Sequence, residues 1–221
     1  MLIRRHGDRA AMARVLGRAA MHEPTFTGAL EPVPAGFQHV AHREAIGSGR
    51  PAFVVAAEAI LTWGLHRGAG LVVYAATPRA EQGVDVVVAI GAGRLVDILA
   101  PCRVDMVIDE PGRRGFSYLT LPGHPERGRE TFTAELDAAG VVWVSIAAVS
   151  RPGSILTAVA GPAGRLLQRR ATVRYADAVR AAVWSSTAPW STLDQDGSPS
   201  GVVHGAVHCR HALLRHRDRQ R

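Results

Sequence analysis

The chain has 221 residues, 47% hydrophobic, 20% charged and 5% aromatic, which suits one ordinary domain with extensions and a sizeable core. Such a composition excludes an intrinsically disordered chain, a disulfide-rich mini-protein and a collagen-like repeat. No stretch reaches the roughly 18 apolar residues of a spanning helix. The start, Met1-Leu2-Ile3-Arg4-Arg5-His6, lacks the apolar stretch of a secretory signal, and Cys102 and Cys209 are too few and too far apart for a disulfide framework. The expectation is a soluble cytoplasmic protein.

The net charge of +7 would ordinarily point to nucleic acid or an anionic surface. Its distribution points elsewhere. There is no lysine, so all 26 basic residues are arginine. Residues 1–20 hold five arginines against Asp8, and residues 201–221 hold five against Asp218, so each end is +4. Residues 21–200 hold 16 arginines and 17 acids and carry −1. A nucleic-acid-binding domain needs its basic face on the folded body, so the distribution disfavours a nucleic-acid partner.

Residues 2–22 are rich in arginine and alanine and predict a short helix, followed by a Pro-Gly-rich run from Glu23 to Gly36. Phe37–Ile46 reads as a first strand. Gly47-Ser48-Gly49-Arg50-Pro51 then turns the chain into a helix with proline in its first turn. From Phe53, small or apolar residues recur at Ala56, Ala57, Ile60, Leu61, Gly64 and Leu65, one helical face. Trp63 lies on its flank, and His66 is directed further away, towards the surface. From Leu71 the period falls to two. Strands are predicted at Leu71–Ala76, Val84–Ile90, Leu95–Ala100, Arg103–Asp109, Arg114–Leu121, Arg129–Leu136 and Val141–Val149, with turns at Thr77-Pro78, Gly91-Ala92-Gly93, Pro101, Pro111-Gly112, Pro122-Gly123 and Ala138-Ala139-Gly140. Such short connections permit only antiparallel pairing. A last amphipathic helix is predicted from Pro162 to Val183, carrying Gln168 on its small-residue face. The run from Ser185 onward reads as a tail.

This order predicts an α+β fold, a curved antiparallel sheet gripped by a C-terminal helix, similar to the helix-grip architecture of Bet v 1 and START-like proteins. Residues 1–27 would be a helical extension, 28–184 a single helix-grip-like domain and 185–221 a polar, basic, flexible tail. The segment from Gly115 to Phe132, reading GFSYLTLPGHPERGRETF, resembles the signature of a bacterial and plant family catalogued as domain of unknown function 1990, or uncharacterised protein family 0548. Ile46-Gly47-Ser48-Gly49-Arg50, Leu61-Thr62-Trp63-Gly64-Leu65-His66, Pro101-Cys102-Arg103-Val104, Ser150-Arg151-Pro152 and Leu167-Gln168-Arg169-Arg170 resemble it as well, so the likeness runs in order over residues 24–183. It brings no established activity. Two positions depart from the family pattern: Leu119 stands where the family has glycine, and Arg129 where it has glutamate.

Motifs for common chemistry are missing. No Walker A sequence, nucleophile elbow or H-E-x-x-H occurs, and Gly47-Ser48-Gly49 and Gly91-Ala92-Gly93 lack the third glycine of a dinucleotide fingerprint. His204, His208, Cys209 and His211 crowd the tail without the fixed support a metal site needs, so neither metal nor cofactor is expected. The best candidate lies around the Pro122–Gly128 hairpin. With Leu121 opposite Arg129, the pairs become Thr120–Glu130, Tyr118–Phe132 and Phe116–Ala134, all on one face. Phe116, Phe132, Ala134 and Leu136 make that face apolar, so Tyr118, Thr120 and Glu130 would project polar groups into an apolar hollow, the usual pattern of a small-ligand site. Burial would raise the Glu130 pKa unless a cation such as Arg103 opposed it. Trp63 and Gln168 would complete the lining, and His124 and Glu126 are either part of the site or turn formers.

The leading expectation is a module that binds a small, largely apolar molecule between sheet and C-terminal helix. The alternative is an enzyme of cyclase or dehydratase type using Glu130, Tyr118 and His124 as acid–base groups. A third reading is an interaction protein whose basic ends engage a partner. The sequence gives no indication of oligomeric state.

Overall fold

Eight strands and four helices make up the computed structural model, which describes residues 2–28, 30–92, 95–153 and 161–187, with only the backbone described for 92, 161–169 and 187. The elements are β1 (Leu2–Arg5), α1 (Arg9–Ala19), β2 (Gln38–Ser48), α2 (Gly49–Leu61), α3 (Gly64–Gly68), β3 (Val72–Ala75), β4 (Asp85–Ala92), β5 (Val96–Glu110), β6 (Arg113–Thr120), β7 (Glu126–Leu136), β8 (Val141–Pro152) and α4 (Gly161–Thr187). The turn expected through Gly93 and the histidine-rich stretch His204–His211 lie outside the described residues. Everything described belongs to one unit, Met1–Ala188.

The sheet runs β2-β8-β7-β6-β5-β4-β3, antiparallel throughout, and β1 pairs with β5 off that path. Register breaks at Ala45/Gly47 in β2 and at Val104/Met106 in β5 are bulges, which bend a strand and deepen its twist. One face is packed by α2, α3 and α4. Alternate residues Val86, Val88, Ala100, Cys102, Val104, Phe116, Tyr118, Phe132, Ala134, Val142, Val144 and Ile146 meet Phe53, Ala56, Ala57, Ile60, Trp63, Leu65, Tyr175, Ala176 and Val179 in the main core. The fold class is therefore the expected one: an α+β chain whose C-terminal helix lies across an antiparallel sheet. That helix comes close because small residues meet; a methyl group on Gly68 would stand 2.7 Å from the Ala178 Cβ.

Three expectations are corrected. Residues 2–5 are not helical: they pair with Val96–Leu99 of β5, and only Arg9–Ala19 form a helix, capped where Asp8 Oδ1 accepts from the Ala11 N–H at 2.8 Å. That helix covers the outer face, where Ala11 and Met12 meet Val87, Ala89 and Leu99. Secondly, Pro101 does not end a strand, because β5 continues through it for 15 residues. Its carbonyl accepts from Leu121 N–H, beyond the end of the β5–β6 ladder at Cys102. In a strand the N–H and C=O of one residue share a side, so the missing donor faces the seam between β1 and β6 and costs no ladder bond. Thirdly, the first helix is not continuous. It stops at Leu61, and Trp63 takes a left-handed φ of 64° before α3 begins.

Candidate functional site

Sequence alternation placed the correct residues on the inner face, but their pairing is offset by two. The register joins Tyr118 to Glu130, Phe116 to Phe132 and Leu119 to Arg129. A shift of two leaves every side chain on its expected face, while changing its opposite neighbour. Tyr118 and Glu130 thereby become a direct cross-strand pair, and the tyrosine hydroxyl donates to Glu130 Oε2 at 2.7 Å.

Around this pair the inner face is apolar. Phe116 and Phe132 are fully buried, Ala148 lies opposite Glu130 on β8, and Cys102 is a buried free thiol on β5. Burial pushes the Glu130 carboxyl up to about 7; the Tyr118 hydrogen bond opposes that shift, and the Glu126 charge adds to it. Tyr118 and Tyr175 are likewise raised well above the usual phenol range, first by burial and then by the Glu130 charge. Among the described residues no cation pairs with Glu130. Its side chain nevertheless keeps part of its surface accessible, whereas Phe132, two residues on, has none. Glu126 points to the same face further along β7; its pKa is raised by burial, against a hydrogen bond from Ser150. Gly128 lies between the two carboxylates because β7 and β8 close there: an added Cβ would stand 2.1 Å from the Val149 carbonyl oxygen.

The missed residue is His66. Under a continuous helix it should face outward, but the left-handed break at Trp63 rotates α3 and brings it fully inside. Its ring centroid is 5.2 Å from Phe132, 5.2 Å from Tyr175 and 6.0 Å from Tyr118. Both ring nitrogens are buried without a hydrogen-bond partner among the described residues. Burial, with a smaller effect from Arg67, lowers its pKa to about 3, so the ring is neutral. An apolar flank beside a histidine cannot reveal this; the only sequence signal is the absence of a good helix cap around Thr62-Trp63-Gly64.

Other expected site residues are employed elsewhere. Trp63, Phe116 and Phe132 have no accessible surface; the indole packs edge-on against Phe116 at 5.1 Å and donates to the Thr77 carbonyl at 3.2 Å. These three rings fill the middle of the inner face rather than line a void. Thr120 Oγ1 accepts from the Gly128 N–H at 3.0 Å and bonds Thr25 Oγ1 at 2.6 Å, fastening the chain before β2 to the sheet. Arg103 is on the opposite face. Its guanidinium forks onto Asp85 at 2.7 and 3.1 Å and reaches the Ala19 and His22 carbonyls at the end of α1. As an odd-numbered neighbour of Val104 it cannot face Glu130. His124 Nδ1 lies 2.9 Å from both the N–H and the C=O of Glu126, and burial lowers its pKa to about 4. It shapes the β6–β7 loop, and no contact joins it to Tyr118 or Glu130 among the described residues. The Gln168 side chain lies outside the described residues. The two unusual positions, Leu119 and Arg129, are opposite each other on the outer face, where Arg129 pairs with Asp105 at 2.7 Å; neither enters the Glu130 corner.

Among the described residues no helix is long and apolar enough to cross a membrane, and no cluster of three or more His, Cys, Asp or Glu side chains is arranged for a metal ion. Residues 21–178 match the family model described as a domain of unknown function, DUF1990. A UPF0548 protein of Deinococcus radiodurans is 39% identical over 109 residues, 46% of this chain; the match spans 55% of that protein's length. A UPF0548 protein of Arabidopsis thaliana is 29% identical over 144 residues, 62% of this chain and 69% of that protein. The fold is similar to the crystal structure of the hypothetical protein jhp0584 from Helicobacter pylori, with a TM-score of 0.53 at 6% identity, covering 71% of this chain and 94% of that one.

Proposed function

We propose that this chain, which belongs to the DUF1990 family, holds a small, largely apolar molecule at the Glu130 end of the space between sheet and C-terminal helix. The observation that carries the reading is the Tyr118–Glu130 pair: a carboxylate enclosed by apolar side chains, bonded by one buried phenol and still partly accessible. Burying such a group is costly, and a fold that keeps it beside otherwise close-packed rings has a use for it. The apolar walls would supply affinity and the carboxylate–phenol pair orientation. The partner on this reading is a small molecule rather than nucleic acid, and the setting is the cytoplasm.

Native mass spectrometry of the protein purified from its own host tests this. The wild-type chain should retain a small molecule that Tyr118→Phe and Glu130→Gln lose or hold less well. A wild-type spectrum at the bare mass, with no apolar probe binding afterwards, would count against it.

The pKa of about 7 at Glu130 favours one second reading, acid–base catalysis on the same molecule, since a carboxyl titrating near neutrality can both give and take a proton. His124 has no part in it. If Glu130→Gln keeps the retained molecule but no longer converts it, the enzyme reading replaces the binding one.

A further inference from the structure

Building on that binding reading, we propose that the Glu130 corner selects a ligand carrying an amine, an organic cation seated between the Glu130 carboxylate and the rings of Tyr118 and Tyr175. Three observations carry it.

First, the charge acting on Glu130 is of one sign, that of Glu126; Arg67, which acts on His66, is an exposed side chain that donates to the Thr62 carbonyl at 2.7 Å. Glu130 and Glu126 come from β7, Tyr118 from β6, Cys102 from β5, Tyr175 from α4 and His66 from α3. The described residues place no arginine among them, in a chain with 26. Arg103, the obvious counter-ion, is drawn to the other face by Asp85, and Arg129 to Asp105. A ligand carboxylate or phosphate beside Glu130 would be repelled, whereas an ammonium supplies its missing positive charge.

Second, the fold leaves a buried polar ring unsatisfied at the same place. His66 is neutral, has two nitrogens with no partner among the described residues, and lies against Tyr118, Tyr175 and Phe132. Buried polar groups are otherwise almost always bonded. An unprotonated imidazole nitrogen accepts a hydrogen bond, and an ammonium has three to donate: one for Glu130, one for His66 and one to spare.

Third, two electron-rich rings reach this corner. Tyr118 and Tyr175 stand 5.4 and 5.5 Å from the enclosed Phe132 ring and, unlike it, each keeps a little accessible surface, and ring faces attract cations most strongly where water is excluded.

The probes are n-octylamine, n-octanol and octanoate, titrated calorimetrically into the full chain. At about pH 8.5, where a carboxyl titrating near 7 is ionised and an alkylamine still protonated, octylamine should bind about tenfold or more tighter than octanol, and octanoate weakest. At about pH 5.5 that preference should shrink as Glu130 takes up its proton. Glu130→Gln should erase it at both pH values, so that octylamine no longer binds tighter than octanol. The wild-type pH comparison stands independently should the variant fail to fold. Equal binding of amine and alcohol, or tighter binding of octanoate, overturns the amine assignment and leaves the pocket; no binding by any probe overturns the pocket itself and the amine assignment with it.

Discussion

Glu130 and His66, which both lie against Tyr118, impose opposite pH dependences on one fold. The folded protein holds the Glu130 proton more tightly than the unfolded chain. Its stabilising effect is therefore complete below the ordinary carboxyl pKa and drains away as pH rises from 4.5 to about 7. His66 runs the other way. Its folded pKa lies near 3, so stability is lost as pH falls through 6.5, where the unfolded ring takes up a proton. His124, lowered to about 4, acts in the same sense. Because these effects overlap, differences between variants are more telling than the wild-type curve. Glu130→Gln should match wild type near pH 4 and exceed it at pH 8 by on the order of 2 kcal/mol in urea unfolding, with solvent at the open side of the corner screening part of the shift. His66→Leu should be more stable than wild type by about 1–2 kcal/mol at neutral pH, since it removes an unpaired buried polar ring, with an advantage that grows on acidification. If His66 holds a ligand amine, the same variant binds octylamine more weakly than wild type. A residue that weakens the fold and strengthens binding is serving the ligand.

At the scale of elements, strand alternation was legible in β6 and β7 and register was not. Period two names the face of their paired residues, and a slip of two cannot disturb it, whereas the bulge at Val104/Met106 flips the alternation in β5, leaving Met106 exposed and turning Val107 to the core. The pairing itself depends on loop bonds no pattern encodes, such as Thr120 Oγ1 taking the Gly128 N–H. Pro101 misled for a related reason: a proline inside a strand is forbidden only where its nitrogen must donate, and that is decided by which neighbour lies alongside. His66 was invisible because a single left-handed residue, Trp63, re-aims the turn after it. Trp63→Ala should therefore do more than empty a ring's volume. We expect a loss of about 3–5 kcal/mol, with α3 mispositioned and probe binding at the Glu130 corner abolished even where the chain remains folded. Arg103→Ala separates the two faces. It strands the largely buried Asp85 carboxylate and frees the end of α1, at a cost of about 2–3 kcal/mol, below that of a fully buried pair. Octanol and octylamine affinities should stay where they were; a large change would place Arg103 back at the ligand.

For the molecule as a whole, the two faces of one sheet have separate tasks. The inner face carries the main core and the Glu130 corner, and the outer face carries the smaller cluster under α1 and the arginine pairs. This division lets the family pattern vary at Leu119 and Arg129 without touching the inner chemistry, since both lie on the far side. It also shows why net charge was a poor guide: what a ligand meets depends on which face the arginines occupy. The seam at Pro101 has one more effect. β5 is shared lengthwise, residues 96–99 bound by β1 and residues 102–110 by β6, and a half-open hollow of about 300 Å³ lies at the join, edged by Leu2, Val15, Pro101, Leu121 and Gly123. With no hydrogen bond from Pro101 to stitch the halves together, the first strand can peel off while the rest of the ladder holds. Deuterium should then invade β5 in two stages, the amides turned towards β1 exchanging well ahead of those turned towards β6, as though a single strand belonged to two structures of unequal lifetime.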